Sequence, residues 1–192
     1  MHPVQLKAEY VERLGRGSTF FRLILVIPHI IWIYVYGLVA GILWAVAWVA
    51  TVIMGRNPLW GFLNGFLRYS TRVNAYGNLV TDRFPSFGSG GDYPIDVEVA
   101  RPASARRLTV FFRGILVLPA AVASTVLGYA GSSAAVAIWL WVVFTGRCPK
   151  GLFDISVIVM RFSVRLNAYM LLLTDAYPSV DEPAPGTMTT VA

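Results

Sequence analysis

The sequence contains little charge and only one cysteine. Charged residues make up 14% of its 192 residues, against roughly 25% in an average soluble domain, while 56% are hydrophobic. Neither an ordinary soluble protein nor a disordered chain is expected from this composition. The single cysteine, Cys148, excludes an internal disulfide and a cysteine-rich metal site. The composition therefore indicates a protein that resides in a lipid environment.

Sequence motifs for catalysis and cofactor binding are also absent. The chain has no Walker loop, dinucleotide fingerprint, Ser-His-Asp set or zinc-ligand spacing. We therefore expect no enzyme activity, no cofactor and no metal ion. The net charge of +6 would suggest nucleic acid in a soluble protein. Here the basic residues flank apolar runs, which indicates a membrane surface and no nucleic acid.

Two long runs lack any charged side chain. They cover residues 23–55 and 114–146, and each contains 33 residues. A bilayer core requires about 20 apolar helical residues, so each run is long enough to cross it. The first run is followed by Arg56 and not by a small-residue cleavage site, so we expect it to be retained as an anchor.

The chain is a tandem repeat. Residues 3–58 align without a gap on residues 94–149, with 16 of 56 pairs identical. Residues 66–87 align on 159–180, with 11 of 22 pairs identical. The identical pairs include Arg, Asn, Asp and Pro, which shared hydrophobicity does not explain. The predicted units are membrane repeats at 1–87 and 94–180, a Gly/Ser linker at 88–93 and a disordered tail at 181–192.

Both units have the same order of segments. A short alternating stretch at 4–10 or 95–99 predicts a strand, and the two strands are able to pair with each other. After the apolar run, Pro58 and Pro149 fit the start of a helix that extends to about Val80 or Leu173. The predicted fold class is an all-α membrane protein of two parallel tandem repeats. Each repeat has membrane helices, an amphipathic Arg-containing helix and a short N-terminal strand.

The path of each 33-residue run has two interpretations. One helix of this length would measure about 50 Å, so it would need a tilt or a break, for example at Pro28 and Pro119, to fit a core of roughly 30 Å. Alternatively, the run turns back near 37–41 and 128–133 as a hairpin. The hairpin places all basic residues on one side and is slightly favoured for that reason. Both interpretations put the two termini in the cytoplasm and the repeat axis along the membrane normal.

Paired arginines form the strongest candidate site. Arg68 and Arg72 are four residues apart, as are Arg161 and Arg165, so each pair shares one helix face. One interpretation is an interfacial helix whose arginines reach lipid phosphates and set the topology. The other is a basic pocket, formed where the units meet, for an anionic lipid headgroup or another anionic ligand.

Further charged residues are assigned structural or topological roles. Asp82 and Asp175 follow the amphipathic helices and are expected to pair with arginines of the segments that precede the apolar runs. His29 has no acidic or cysteine neighbour within helical reach and is interpreted as a packed histidine. The residues assigned to structure and topology are Arg22, Arg56, Asp82, Arg113, Arg147 and Asp175.

Three repeated blocks identify a family resemblance. They are Phe-Phe-Arg-x-Ile-Leu-Val at 20–26 and 111–117, Gly-Arg-x-Pro at 55–58 and 146–149, and Arg-x-Ser-x-Arg-x-Asn-Ala-Tyr at 68–76 and 161–169. With these blocks the chain resembles the bacterial integral membrane proteins grouped as domain-of-unknown-function family 4389, in two tandem copies. The family has no assigned activity, so the resemblance implies a membrane protein and transfers no catalytic residues.

The expected function is that of a non-catalytic integral membrane protein. It would be a scaffold or accessory subunit that binds anionic lipid or a larger membrane complex, and it could form a homo-oligomer. The alternative is a small transporter or channel with a pathway between the repeats. The expected location is the bacterial cytoplasmic (inner) membrane, with several membrane passes and both termini in the cytoplasm.

Overall fold

The second half of the chain repeats the order of elements found in the first half. The computed structural model describes residues 2–88, 90–91 and 93–179. The predicted tail at 181–192 and two residues of the predicted linker lie outside these ranges. The described elements are β1 (Val4–Ala8), α1 (Arg16–Phe20), α2 (Arg22–Met54), α3 (Trp60–Gly77), β2 (Ile95–Val99), α4 (Arg107–Phe111), α5 (Arg113–Leu116), α6 (Leu118–Thr145) and α7 (Lys150–Met170).

The apolar run of each repeat forms a long helix. α2 contains 33 residues and continues through Pro28. In the second repeat only Val117 separates α5 from α6, and its backbone angles remain helical (φ −78°, ψ −20°). The hairpin favoured by the sequence is therefore wrong. Gly37, where a turn was expected, lies inside α2 beside the Phe66 ring, and the continuous helix satisfies the backbone hydrogen bonds that a turn would break.

The actual breaks precede the long helices. Phe21 separates α1 from α2, and Phe112 separates α4 from α5, both with φ −87°. Pro28 does not interrupt α2, and Pro119 lies in the first turn of α6, where proline loses no helical hydrogen bond. The short helices α1 and α4 are thus directed independently of the long helices that follow them.

The two strands pair with each other, as the sequence suggested. They are antiparallel, and Leu6 lies opposite Val97. These two residues occupy equivalent positions in the repeats, 91 residues apart, so a pseudo-twofold axis passes between them. In an antiparallel pair this axis is normal to the sheet. The inward side chains of Val4, Leu6, Ile95 and Val97 are all buried.

The Arg-containing helices α3 and α7 lie beneath the sheet. α3 packs on β2 and α7 packs on β1, while the two helices also contact each other across the axis. Each packs in turn against the long helix of its own repeat. They end at Gly77 and Met170, three residues earlier than the sequence predicted. Their buried positions include Leu63, Leu67, Ala75, Val157, Val164 and Ala168.

The repeats interlock through reciprocal contacts at the ends of the long helices. The N–H of Leu14, before α1, donates to the carbonyl of Gly146 at the end of α6 (3.3 Å). The equivalent N–H of Ala105 donates to Gly55 at the end of α2 (2.8 Å). Tryptophans form a second reciprocal pair of bonds, from Trp48 Nε1 to the Val110 carbonyl and from Trp139 Nε1 to the Thr19 carbonyl, each 3.1 Å. Each long helix therefore starts beside the end of the other, and the two run antiparallel.

A glycine substitution tests this junction. Gly146 ends α6 with φ 74°, a conformation that costs other residues about 1–2 kcal/mol. An added Cβ would also lie 3.1 Å from Arg16 Nε. We expect Gly146→Ala to lower the free energy of unfolding by about this amount, measured by thermal unfolding in detergent micelles.

The matched control for this substitution is Gly151→Ala. Gly151 lies in the first turn of α7, and a Cβ there meets no atom within 4 Å. Because alanine favours a helix over glycine by up to about 1 kcal/mol, the control should be as stable as the native chain or more stable. A Gly146→Ala protein of native stability would contradict the assigned cap.

Candidate functional site

One buried arginine in each repeat binds the end of the following amphipathic helix. Arg22 Nη1 donates to the carbonyls of Tyr76 (2.8 Å) and Thr81 (2.9 Å), and its Nη2 lies 2.6 Å from Asp82 Oδ1. Carbonyls at a helix C-terminus lack helical partners and carry partial negative charge, which a guanidinium satisfies. Arg22 is 2% exposed, so its charge is balanced by partners inside the protein and is not presented to solvent.

The second repeat contains the same cluster. Arg113 Nη1 donates to the carbonyls of Tyr169 (2.5 Å) and Thr174 (3.2 Å), and Nη2 forms an ion pair with Asp175. Asp175 also accepts a hydrogen bond from the N–H of Arg106 at 2.8 Å. In both repeats the aspartate thus joins the long helix, the amphipathic helix and the segment before α1 or α4.

In the first repeat the predicted arginine pair is neutralised internally. Arg68 donates through Nε to Asp96 Oδ1 (3.0 Å) and through Nη2 to Oδ2. Arg72, 1% exposed, donates to the carbonyls of Gly90 (2.6 Å) and Gly91 (3.0 Å) and lies 3.4 Å from Asp96. Burial alone would raise the pKa of Asp96. Hydrogen bonds from Arg68 and from the backbone of Val97, with the nearby arginine charges, outweigh burial and lower it.

Strand β1, which packs on α7, has no carboxylate at the position equivalent to Asp96. Gln5 occupies the strand position that corresponds to Asp96. Arg161 has no carboxylate within ion-pair distance among residues 2–88, 90–91 and 93–179, and burial together with the charge of Arg165 lowers its pKa. Arg165 donates to the carbonyl of Ser179 (2.6 Å). The structure therefore distinguishes Arg68, which binds a carboxylate, from Arg161, which has none within ion-pair distance among the described residues.

A pocket with exposed arginines lies where the end of α2 meets the segment before α4. Its volume is about 340 Å³. Arg56 and Arg101 line it and are exposed, and neither has a carboxylate partner within the described part of the chain. The Arg101 guanidinium lies 5.5 Å from the ring centre of Trp60. The Arg113–Asp175 pair forms its inner wall, so the pocket contains residues from both repeats. We call it the junction pocket.

The equivalent place at the opposite junction is filled by a tyrosine. Tyr10 corresponds to Arg101, and its hydroxyl donates to the carbonyl of Cys148 at 2.6 Å. Its ring packs edge-on against Phe153 at 5.0 Å. The sequence alone assigns Arg56 a topological role and places Arg101 only among the basic residues before the second apolar run, not as a site residue. The available signal was the departure from the repeat at Tyr10 and Arg101, where an aromatic residue in one unit is replaced by a cation in the other.

A second pocket, of about 330 Å³, lies between α3, α6 and α7. It is polar, and it lies on the face of α3 opposite Arg68, because Ser70 and Asn74 are each two residues beyond an arginine. The amide groups of Asn74 and Asn167 donate to carbonyls four residues earlier in their own helices. Ser156 Oγ is buried there without a hydrogen-bond partner among the described residues. We call this pocket the polar groove.

His29 and Cys148 occupy packed positions. His29 is fully buried, its Nδ1 lies 2.8 Å from the Tyr69 hydroxyl, and its ring stacks on Phe87 at 4.5 Å. Burial raises the pKa of the Cys148 thiol to about 11. No group of three or more His, Cys, Asp or Glu side chains that could hold a metal ion occurs among the described residues.

The long helices present an unusually apolar surface. Residues Arg22–Met54 and Arg113–Thr145 are each long and apolar enough to cross a membrane, judged by length and composition alone. The most apolar window of the first is only 11% buried and that of the second 22%, unlike a core helix of a soluble protein. Exposed side chains include Leu38 (69%), Ile42 (69%), Val122 (67%) and Phe144 (76%).

Comparison with known proteins identifies the family. The family model described as Domain of unknown function (DUF4389) matches residues 16–89 and 107–180. The chain therefore belongs to this family and contains two copies of its domain, as the sequence motifs indicated. No curated protein and no solved structure matches the chain.

Removal of the Asp96 carboxylate tests the ion-pair cluster. Asp96→Asn would leave Arg68 and the buried Arg72 without their anion. We expect a loss of roughly 3 kcal/mol in unfolding free energy, the low end for a broken buried pair because Arg68 and Asp96 remain partly exposed. Lys7→Gln is the control, since the Lys7–Glu98 pair is more than half exposed and should contribute less than about 1 kcal/mol.

Acid titration provides a second test of Asp96. Because its folded pKa lies below the ordinary value of 3.8, its contribution is complete above that value and is lost as the pH falls through the folded pKa. The difference in unfolding free energy between the native chain and Asp96→Asn should be constant from neutral pH to about pH 5 and should decrease only in stronger acid. A difference that already decreases between pH 7 and 5 would contradict the lowered pKa.

Proposed function

We propose that this family member is a non-catalytic membrane protein that binds anionic lipid headgroups in the junction pocket. It would serve as a scaffold or accessory subunit of the bacterial cytoplasmic membrane. The observation that carries the proposal is the position of Arg56 and Arg101, which are exposed in a pocket directly after the apolar α2. A lipid headgroup that meets the end of an apolar helix would encounter these arginines.

The exposed apolar surface supports membrane residence. Large apolar side chains that are exposed cover most of the surface of α2 and α6. The few buried residues of each helix form a narrow stripe along it. In water such a surface would be far larger than the apolar patches that monomeric soluble proteins expose. In hydrocarbon it requires no partner protein. Lipid tails are thus the simplest occupant of this surface.

The chemistry of the junction pocket suits a phosphate headgroup. An arginine fork can donate two hydrogen bonds to phosphate oxygens, and Trp60 provides an aromatic ring of the kind found at headgroup depth. Of the arginines that the sequence put forward, Arg68 and Arg72 are bound to Asp96 and the linker. The proposal therefore assigns the headgroup to Arg56 and Arg101, and a role for Arg161 and Arg165 stays a prediction.

The excess of arginine supports a cytoplasmic orientation. Basic residues next to apolar segments are retained on the cytoplasmic side. The segments before α1 and α4 both carry such residues, including Arg13 and Arg106. We propose that both termini also lie in the cytoplasm. Arg22 and Arg113 have internal partners and hold the fold, so the binding role is assigned to the exposed Arg56 and Arg101.

The test is retention of phosphatidylglycerol by the purified full chain. In Arg56→Gln/Arg101→Gln we expect about 30-fold weaker binding, from about 1 kcal/mol for each basic residue at a membrane surface. Native mass spectrometry of protein in detergent with added phosphatidylglycerol measures it. Lys7→Gln/Arg83→Gln removes the same charge elsewhere and should bind normally. Equal binding by the two double variants would refute the pocket assignment.

The polar groove favours a second candidate function, a small transporter or channel between the repeats. Its side chains come from α3 of one repeat and from α6 and α7 of the other. If this function is correct, liposomes containing the protein will take up potassium or chloride faster than protein-free liposomes, and Asn74→Leu/Asn167→Leu will abolish the difference. The lipid-binding proposal predicts no uptake above the protein-free control.

A further inference from the structure

The pseudo-twofold axis determines the direction of the long helices. Positions related by the axis lie at the same height along it, so Gly55 and Gly146 share one height. Leu14 is bonded to Gly146 and therefore lies near that height too. The segment that enters α2 and the glycine that ends α2 are thus level, although the 33-residue helix between them is about 50 Å long. α2, and by symmetry α6, extend perpendicular to the axis and parallel to the sheet.

The sheet lies on this axis and is polar on its outer side. Lys7 and Glu98 point away from the core, with side chains 53% and 59% exposed. Among the described residues the sheet has two strands, so the outer edge of each strand carries unpaired backbone groups. The inner side rests on α3 and α7, and the long helices pack beyond these.

A membrane-spanning direction for α2 and α6 conflicts with the position of the sheet. If both helices were parallel to the membrane normal, the axis would lie in the membrane plane at mid-depth. The sheet would then meet the hydrocarbon at its centre, with Lys7, Glu98 and two open strand edges facing lipid. Open sheet edges do not occur in contact with lipid, and charges at that depth are costly.

The geometry points to a protein embedded in one leaflet, with its pseudo-twofold axis along the membrane normal. This inference rests on the membrane residence proposed above and specifies its form. α2 and α6 lie in the plane of the leaflet with their apolar surfaces among the lipid tails. The two-stranded sheet faces water. The lipid partner is a leaflet containing anionic headgroups, and neither long helix crosses the bilayer.

The distribution of positive charge agrees with this orientation. Exposed basic residues occur at both ends of the long helices, and those ends are at one height. In the embedded orientation they form a ring at headgroup depth, whereas spanning helices would place half of them on each side of the membrane. At one end are Arg13, Arg16, Arg147 and Lys150, and at the other are Arg56, Arg101, Arg106 and Arg107.

The polar groove faces away from the sheet and is compatible with an embedded orientation. Each of its two exposed amides, Asn74 and Asn167, donates one N–H to a helix carbonyl, so part of its hydrogen-bonding capacity is satisfied inside the protein. Neutral, internally bonded amides are less costly in hydrocarbon than Lys7 and Glu98 would be. The balance of polar groups therefore favours placing the groove, and not the sheet, on the lipid side.

Single cysteines in the full chain test the orientation. The background is Cys148→Ala, which removes the buried native thiol. Gly17→Cys lies in α1, just before α2, and Gly61→Cys lies in the first turn of α3, just after the end of α2. An added Cβ meets no atom within 4 Å at either position. Glu98→Cys reports on the outer side of the sheet, and Leu38→Cys on the middle of α2. Membrane-impermeant maleimide is applied to intact cells and, separately, to inverted membrane vesicles. The vesicles are washed with carbonate before labelling, and the released fraction is labelled as well.

The embedded orientation predicts that Gly17→Cys, Gly61→Cys and Glu98→Cys are labelled in inverted vesicles and not in intact cells, while Leu38→Cys is labelled in neither. Labelling of Gly17→Cys and Gly61→Cys from opposite sides would overturn the orientation and leave the membrane proposal intact. Release of the protein by carbonate, with Leu38→Cys labelled in the soluble fraction, would overturn the membrane proposal itself.

Discussion

The reciprocal contact between the long helices is the constraint on which the rest of the structure depends. Each repeat's approach segment bonds to the glycine that ends the other repeat's long helix, at Leu14–Gly146 and Ala105–Gly55. This arrangement makes the helices antiparallel, brings the two strands together across the axis and creates the junction pocket from both repeats. A single repeat contains one strand and half of each junction, so it lacks the partners that complete these features.

A buried arginine in each repeat joins the long helix to the amphipathic helix and, through an aspartate, to the segment that contacts the other repeat. Arg22 and Arg113 occupy the C-terminal ends of α3 and α7, where free carbonyls and an aspartate neutralise them. The same aspartates accept backbone N–H groups of Gly15 and Arg106, which belong to the interlocking segments. One charge pair in each repeat thus fixes three segments at once. This multiple use explains why buried arginines occur in so apolar a chain.

Much of the fold follows from sequence, because periodicity and duplication report local structure. The repeat boundaries, the long apolar segments, the Arg-containing helices and the paired strands all have local signals. The continuity of the long helix has no such local signal. Gly37 alone predicts a turn, and its contact with Phe66 inside the helix is not visible in the sequence. The sequence also does not show which carboxylate binds Arg68, because Asp96 is 28 residues away along the chain. The junction pocket depends on contacts between repeats, and only the exchange of Tyr10 for Arg101 marks it in the sequence.

The direction of the long helices relative to the bilayer is the central claim, and polarised infrared spectroscopy of oriented membranes measures it directly. The amide I dichroism of the full chain in supported phosphatidylglycerol-containing bilayers reports the mean helix tilt. Because α2, α6 and the helices packed along them contain most of the helical residues, the account predicts a mean helix direction close to the membrane plane. A mean direction close to the membrane normal would contradict it.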